Sequence, residues 1–199
     1  MSPDPASRCK NCTAEWAEES NCPRCYFWDS IDIAISAYPM KDIARSVVHG
    51  LKYSYIESLA PVMAIQIGRL LEARPGAIVL PVPLHRSRLR QRGFNQAELI
   101  LRSAGWVPGE GSLTRIRKTE SQVGKRARDR VHNVGGAFAY EGPELTGITV
   151  VLVDDVITTG ATANECARVV RDHGAERVIA IAYARASYDP ARPEEPIAD

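Results

Sequence analysis

Three mainly apolar runs constrain the fold of this chain more than any other feature of its sequence. They cover residues 77–82, 148–153 and 177–184. Short runs of this kind, bounded by turn-forming residues, are typical of strands buried on both faces of a parallel sheet. Before the first run and between the others, apolar residues recur at helical spacing over 42–72, 94–103 and 162–173. Strands that alternate with helices predict an α/β fold, with a parallel-rich sheet and helices on both faces.

Weaker patterns complete this outline. A first strand is predicted at 31–37, where Pro39 closes it, and a break near 53–58 divides the first helical stretch into two helices. Two further short strands are predicted at 113–117 and 137–140. The segment between these two strands is polar and basic and shows no periodicity.

The composition of the 199-residue chain is that of a globular protein, with 45% hydrophobic and 25% charged residues. A net charge of +1 argues against a protein that binds nucleic acid through bulk charge. No uncharged apolar run approaches the roughly 18 residues that a membrane helix needs. The first ten residues also lack the apolar core of a signal peptide. We therefore expect a cytoplasmic protein without membrane insertion.

The charge is distributed unevenly along the chain. Residues 85–130 carry 12 Lys and Arg against 4 Asp and Glu, whereas the rest of the chain carries 13 against 20. The basic stretch contains only two aromatic residues, Phe94 and Trp106, so it lacks the stacking platforms of a single-strand binder. It is either a solvated face or a site for a multiply charged anion.

Four of the five cysteines lie within the first 25 residues, in the spacing C-x2-C-x9-C-x2-C. Two Cys-x-x-Cys turns predict one tetrahedral zinc site, formed by Cys9, Cys12, Cys22 and Cys25. The alternatives are two disulfides or a redox pair, and a reducing compartment argues against disulfides. The fifth cysteine, Cys166, shares helical spacing with apolar residues and is predicted to be a buried core residue.

The segment that carries the chemistry follows the second apolar run. A buried strand delivers Asp154 and Asp155 to its carboxyl end, and a threonine–glycine loop then opens a helix. Ligands of open α/β sheets bind outside the carboxyl ends of strands, and a helix N-terminus attracts phosphate. Ionised carboxylates only accept hydrogen bonds, which suits sugar hydroxyls. The segment therefore predicts a site for a ribose 5-phosphate.

Three other interpretations of this segment are weaker. A P-loop nucleoside triphosphatase requires G-x-x-x-x-G-K-[ST] upstream, and Gly124-Lys125 does not complete that motif. A response-regulator receiver requires a phospho-accepting Asp on a later strand, and residues 177–184 contain none. A loop without a ligand does not account for the combination of buried strand, acid pair and threonine–glycine loop.

Residues 151–162, VLVDDVITTGAT, resemble the binding signature of the type I phosphoribosyltransferases, which use 5-phosphoribosyl 1-pyrophosphate (PRPP). Further segments resemble the ComF/GntX family in particular. These are the four-cysteine module, GLKY at 50–53, PVPLHR at 81–86, RGFNQ at 92–96, and the spacing of Arg117, Thr119, Gln122, Arg130, Asn133 and Phe138. The resemblance covers residues 9 to about 185. It implies a zinc-ribbon-like module at 1–28 and a phosphoribosyltransferase domain at 29–185, and we expect a disordered tail at 186–199.

The resemblance also implies a role for each part of the site. Asp154 and Asp155 would hold the ribose hydroxyls of PRPP. The 5-phosphate would be bound by Thr158, Thr159, Gly160, Ala161 and Thr162, and the pyrophosphate loop would contain Pro83, Leu84 and His85. The candidate catalytic residues, which would contact the charged leaving group, are Arg86, Lys118 and Arg130. Asparagine at position 154 or 155 is expected to weaken ligand binding without unfolding the protein.

The implied reaction is Mg2+-dependent transfer of a phosphoribosyl group from PRPP to an unidentified amine or base. The basic segment 118–136 would be a lid that closes over the pyrophosphate, and the zinc would be structural. Two alternatives stay open: a sensor that binds PRPP or a nucleotide without turnover, and an accessory protein of DNA uptake that works with the competence machinery. The resemblance also implies a homodimer.

Four polar residues in the matching blocks have open roles. His85 either contacts pyrophosphate or orders its loop, and Lys52 either faces solvent at a helix end or contacts the ligand. Asn95 and Gln96 are expected to cap a helix and lock a loop rather than to act in catalysis.

Overall fold

The computed structural model describes residues 9, 11–12, 22, 25, 28–107, 109–117 and 135–186. The strands are β1 (Ile33–Pro39), β2 (Ile78–Pro81), β3 (Ser112–Arg115), β4 (Phe138–Glu141), β5 (Thr149–Ile157) and β6 (Arg177–Arg185). The helices are α1 (Asp42–Tyr53), α2 (Ala60–Glu72), α3 (Arg86–Arg92), α4 (Gln96–Ser103) and α5 (Ala161–Asp172). A short 3-10 turn at Glu57–Leu59 separates α1 from α2, where the sequence predicts a break.

Four strands form one parallel sheet in the order β1-β6-β5-β2. The two remaining strands, β3 and β4, pair with each other as an antiparallel ribbon. Because β5 and β6 are the two inner strands, their side chains are buried on both faces, as their apolar runs predict.

Helices cover both faces of the sheet. Val151 and Val153 of β5 face a core formed with α1, α2 and α4, whereas Val150 and Leu152 face a core formed with α5 and the β3–β4 ribbon. This alternation follows from the two-residue period of a strand. Cys166 of α5 is fully buried in the second core, as predicted. The prediction of a parallel-rich sheet with helices on both faces is confirmed.

Two features differ from the sequence prediction. Strand β5 continues to Ile157, because its last residues still pair with β6, so Asp154 and Asp155 lie within the strand rather than after it. Helix α3 was not predicted. It is polar and arginine-rich and contains no fully buried residue, so it carries no apolar periodicity, and Gly93 at φ +82° ends it.

Several expectations fall on residues that the structure does not describe. Lys118 and Arg130 lie outside the described residues, as does most of the expected lid. Residues 187–199 of the expected tail lie outside them too, whereas Ala186 is buried and its amide donates to the carbonyl of Ile157 at 3.1 Å. Within the described part of the chain, no helix has the length and apolar character needed to cross a bilayer.

Candidate functional site

The candidate site begins where neighbouring strands end at different levels. Pro81, the last residue of β2, pairs with Val153 of β5, and the amide of Val82 donates to the carbonyl of Val153 at 2.8 Å. Beyond this point β5 continues for four residues with β6 as its paired strand. The acid pair therefore lies past the end of β2, at the carboxyl edge of the sheet where α/β proteins bind ligands.

Lys52, near the end of α1, forms an ion pair with the acid pair. Its Nζ lies 3.1 Å from Oδ1 of Asp155, and the two side chains are 18% and 5% exposed. The amide of Asp155 donates to Oδ1 of Asp154 at 2.8 Å. The second oxygen of Asp155, Oδ2, is buried and has no hydrogen-bond partner among the described residues. Such an oxygen is an open acceptor, which a ligand hydroxyl would satisfy.

The charges of Lys52, Asp154 and Asp155, which we call the trio, affect one another. Burial raises the pKa of Asp154 well above its ordinary value, the charge of Asp155 adds to the rise, and Lys52 opposes it. Burial by itself lowers the pKa of Lys52, but the carboxylates of Asp155 and Asp154 outweigh burial and raise it overall. One ammonium group therefore serves two adjacent carboxylates. Sequence reasoning left the role of Lys52 open, and the structure places its side chain within the acid cluster.

The loop after β5 leads directly into α5. Gly160 is the N-cap of α5 with φ +83°, and Oγ1 of Thr159 accepts a hydrogen bond from the amide of Ala161 at 3.3 Å. The amides of Thr162 and Ala163 belong to the first turn, where a helix offers no internal acceptor. This end of α5 is therefore suited to an anion, because free amides and the helix dipole both favour negative charge.

Trp28 contacts the same loop and was not predicted as a site residue. Its indole Nε1 donates to the carbonyl of Thr159 at 3.0 Å. A Cβ on Gly160 would lie 2.4 Å from Cζ2 of the indole, so glycine is required here by contact as well as by φ. Nothing in the sequence signals this contact, since 131 residues separate the two partners.

The loop between β2 and α3 contains Pro83, Leu84 and His85, and side chains at both ends hold it. His85 caps α3, because its Nδ1 accepts a hydrogen bond from the amide of Ser87 at 3.1 Å. Asn95 caps α4 through the amide of Ala97 at 3.0 Å, and its Nδ2 donates to the carbonyl of Val82 at 3.1 Å. Asn95 is thus both a helix cap and a loop lock, as expected. His85 orders its loop, and Arg86 is exposed at the start of α3.

Substitution of Asn95 separates these two functions. Asn95→Ala should lower the free energy of unfolding by about 1 kcal/mol, since the helix cap is lost. Asn95→Asp keeps the acceptor that caps α4 but loses the donor to Val82, so most of this stability should return. Hydrogen exchange in residues 82–85 should be faster than in the wild type in both variants. Wild-type exchange rates in Asn95→Asp would show that the bond to Val82 does not hold the loop.

The cysteine cluster has the geometry of a metal site. The four Sγ atoms of Cys9, Cys12, Cys22 and Cys25 lie within 4.8 Å of one another. The Sγ atoms of Cys9 and Cys25 are 3.6 Å apart, and those of Cys12 and Cys22 are 3.7 Å apart. A tetrahedral zinc ion with Zn–S bonds of about 2.3 Å requires sulfur separations of about 3.8 Å, whereas a disulfide requires about 2.0 Å. None of the four cysteines forms a disulfide, so the cluster is positioned to bind a metal ion.

Cys12→Ser should abolish stoichiometric metal binding, because three thiolates do not close a structural tetrahedral site. Mass spectrometry of the purified metalloprotein should find one metal ion per wild-type chain and much less in the variant. The main sheet should remain folded, since its core is built from other residues. Wild-type protein that is purified under reducing conditions without any metal would contradict this expectation.

Comparison with known proteins identifies one domain type and several relatives. A phosphoribosyl transferase domain model matches residues 111–199. Competence protein F of Haemophilus influenzae is 39% identical over 114 residues, which cover 54% of this chain and 50% of that protein. DNA utilization protein YhgH of Escherichia coli is 35% identical over 144 residues, which cover 66% of this chain and 63% of that protein. The matches thus span half to two thirds of these relatives.

A more distant relative is competence protein ComFC of Bacillus subtilis, which is 32% identical over 97 residues, or 49% of this chain and 39% of that protein. Among solved structures, purine phosphoribosyltransferase from Pyrococcus horikoshii is 19% identical, covering 66% of this chain and 76% of that chain at a TM-score of 0.37. Together, these matches show that the chain contains a phosphoribosyl transferase domain and is homologous to competence protein F, YhgH and ComFC.

Proposed function

We propose that this chain binds PRPP together with Mg2+ and transfers the phosphoribosyl group to an amine or a nucleobase. One observation carries the proposal: the Asp154–Asp155 pair and the loop that opens α5 lie next to each other at the carboxyl edge of the sheet. A ligand that carries both a diol and a phosphate matches this pairing of acceptors and donors, and the phosphoribosyl transferase domain points to PRPP as that ligand.

Each part of PRPP has a matching part in the proposed site. Residues 158–162 would bind the 5-phosphate through the first amides of α5. The open Oδ2 of Asp155 and the carboxylate of Asp154 would accept the ribose hydroxyls. The loop 83–85, fixed by Asn95, would bind pyrophosphate, and Arg86 would meet its charge. Lys118 and Arg130 are proposed for the same role, although both lie outside the described residues.

The reaction needs little covalent chemistry from the protein. The bond between C1 of the ribose and the pyrophosphate oxygen breaks, and pyrophosphate leaves with the electron pair. The lone pair of an acceptor nitrogen forms the new bond to C1, and that nitrogen then loses a proton. Mg2+ bound with PRPP would supply positive charge that offsets part of the charge of the pyrophosphate leaving group. The protein's contribution is to orient the ribose and to neutralise the departing charge, so no nucleophilic side chain is required.

The test is release of pyrophosphate. The protein is incubated with Mg-PRPP and a panel of amines, purines and pyrimidines, and pyrophosphate and the modified acceptor are both measured. Turnover predicts release that depends on one class of acceptor. Asp154→Asn should weaken this activity, whereas Gly105→Ala, on the far end of α4 with no neighbour within 4 Å of its added Cβ, should preserve it. Binding of PRPP with no release for any acceptor would overturn the transferase proposal and support a sensor.

A role in DNA uptake is the second candidate, and the names of the relatives favour it. One relative is named for competence and the other for DNA utilization. The basic stretch 85–130 is the part of this chain suited to contact a polyanion. If the chain itself binds DNA, the complex should survive physiological salt rather than dissociate as a nonspecific complex does. A PRPP-dependent role alongside the competence machinery would not require direct DNA binding.

The remaining parts of the proposal concern the metal, the assembly and the compartment. Four thiolates select zinc, so we propose a structural zinc ion. Cysteines that form no disulfide fit a reducing cytoplasm. Val62 and Ile65, one turn apart on α2, are 50% and 58% exposed, and this apolar surface supports a homodimer. Analytical ultracentrifugation of the wild type and of Ile65→Lys tests the dimer.

A further inference from the structure

Trp28 joins the cysteine cluster to residues 158–162, the loop proposed to bind the 5-phosphate, which we call the phosphate loop. The amide of Trp28 donates to the carbonyl of Cys25 at 2.9 Å, which ties the residue to the last cysteine of the cluster. Its indole Nε1 donates to the carbonyl of Thr159 at 3.0 Å. One residue therefore links a metal-binding turn to the loop proposed to bind the 5-phosphate.

The indole is also held from another direction. The guanidinium of Arg185, at the end of β6, lies 5.0 Å from the centroid of the Trp28 ring. The same guanidinium donates a hydrogen bond to the carbonyl of Cys12. Arg185 is only 5% exposed, so this contact is part of the protein interior. Two turns of the cysteine cluster thus help to fix the ring that contacts Thr159 and Gly160.

A second connection reaches the first turn of α5. Nδ2 of Asn164 donates to Oδ1 of Asp29 at 2.8 Å, and the amide of Ser30 donates to Oδ1 of Asn164 at 3.2 Å. The amide of Asn164 in turn donates to the carbonyl of Gly160 at 2.8 Å. The residues that directly follow the cluster therefore contact the phosphate loop and the beginning of its helix.

We propose that Trp28 is a positioning residue through which the metal-loaded cysteine cluster fixes the phosphate loop, so that metal occupancy sets the affinity for sugar 5-phosphates. The inference rests on the proposed function, because it takes residues 158–162 as the phosphate site. Trp28 does not contact the phosphate. It holds the carbonyl of Thr159 away from the anion and the backbone of Gly160 in its left-handed conformation, which leaves the amides of the first turn available.

The metal matters because the cluster has little other support. Its core among the described residues consists of the cysteines themselves and Trp28, so the metal would supply much of its folding free energy. Loss of the metal would release the turn that holds Trp28 and thereby the loop. By linkage, a ligand that binds better to the metal-loaded protein must strengthen metal binding by the same factor.

The test measures affinity rather than turnover. Ribose 5-phosphate is titrated by calorimetry into wild-type holoprotein, Trp28→Phe, Trp28→Ala and the control Trp106→Phe. Trp28→Phe loses one hydrogen bond and keeps a ring, so its affinity should fall about threefold to tenfold. Trp28→Ala should lose more, and Trp106→Phe should bind like the wild type. Inorganic pyrophosphate with Mg2+ should bind all four proteins equally, which separates a local effect from general loosening.

Removal of the metal supplies the coupling measurement. A chelator should lower the affinity of the wild type for ribose 5-phosphate by about the same factor as Trp28→Ala does, and it should lower the affinity of Trp28→Ala little further. In the reverse direction, ribose 5-phosphate should slow transfer of zinc to a coloured chelator in the wild type but not in Trp28→Ala. In the Trp16→Phe/Trp106→Phe background, emission from Trp28 should shift when ribose 5-phosphate binds.

The outcomes are distinguishable. If wild-type holoprotein does not bind ribose 5-phosphate, the proposed function fails. If it binds, but neither chelation nor Trp28→Phe changes the affinity, the inference about Trp28 is overturned while the proposed function stands. If chelation and Trp28→Ala lower the affinity independently, the cluster does not act through Trp28, and the inference is again wrong. Should Trp28→Ala fail to fold, Trp28→Phe and the zinc-transfer rate still decide the matter.

Discussion

Asp155→Asn should lower the free energy of unfolding by about 2 kcal/mol, whereas Asp154→Asn should not lower it. Asp155 is only 4% exposed and forms the ion pair with Lys52, so asparagine leaves a largely buried ammonium without its partner. Loss of one partner from a fully buried pair costs about 3–5 kcal/mol. The smaller loss of about 2 kcal/mol is expected here because the Lys52 side chain is 18% exposed to solvent.

Asp154 should behave in the opposite way. Burial and the charge of Asp155 raise its pKa well above the ordinary value of 3.8, so its ionised form opposes folding at neutral pH. A neutral asparagine removes that cost, and Asp154→Asn should be as stable as the wild type or more stable at pH 7. Urea unfolding of both variants measures the difference. Calorimetry should show weaker binding of ribose 5-phosphate in both, because each substitution removes an acceptor for the diol.

The pH dependence follows from the same shifts. Between pH 3.8 and the raised pKa of Asp154, the folded state binds more protons than the unfolded state at this residue. The contribution of Asp154 to stability should therefore rise as the pH falls through that window, and Asp154→Asn should remove this slope. The pKa of Lys52 is raised above 10.5, so its contribution is present below that value and is lost as the pH rises through the folded pKa. Equal stability losses in Asp154→Asn and Asp155→Asn would contradict this account of the trio.

The second large effect is expected at Gly160. Gly160→Ala should lower the free energy of unfolding by about 3 kcal/mol, of which about 1 kcal/mol is the cost of a left-handed alanine and the rest is the contact with Trp28. Gly105 provides a matched control, since it has φ +79° and nothing lies within 4 Å of its added Cβ. Gly105→Ala should therefore cost about 1 kcal/mol. Urea unfolding of the two variants isolates the contribution of the Trp28 contact.

Ligand binding should separate the two glycine variants further. Gly160→Ala should reduce the affinity for ribose 5-phosphate by about tenfold or more, because displacement of the loop removes amide donors to a charged ligand. Gly105→Ala should bind like the wild type, since Gly105 lies after α4 and outside the site. If both variants lost the same stability and neither lost affinity, Trp28 would not be held against Gly160.

The sequence predicted the elements whose evidence lies in consecutive residues. The apolar runs gave the buried strands β2, β5 and β6, and the helical spacing gave α1, α2, α4 and α5. Helix α3 was not predicted, because it buries no apolar face and therefore shows no apolar periodicity. Its caps, His85 at the start and Gly93 at the end, define its bounds. The end of β5 was misplaced because pairing with β6, rather than hydrophobicity, carries the strand through the acid pair.

The candidate site was predictable only in part, for a similar reason. The acid pair and the threonine–glycine loop form one local motif, so they were found together. Lys52 and Asp155 are about a hundred residues apart, and only the packing of α1 beside the end of β5 brings them into an ion pair. The contact of Trp28 with Thr159 is also long-range, and it depends on how the cysteine cluster docks. The local pattern of polar and apolar residues does not predict such long-range contacts.

The most direct test of the central claim is a crystal structure of the protein with Mg2+ and PRPP. The account predicts the 5-phosphate at the amides of residues 160–163, the ribose hydroxyls on Asp154 and Asp155, and the pyrophosphate along residues 83–85. It also predicts that Lys52 stays paired with Asp155 and that Trp28 stays on Thr159. PRPP bound elsewhere on the protein, or bound here with its phosphate away from the start of α5, would contradict the account.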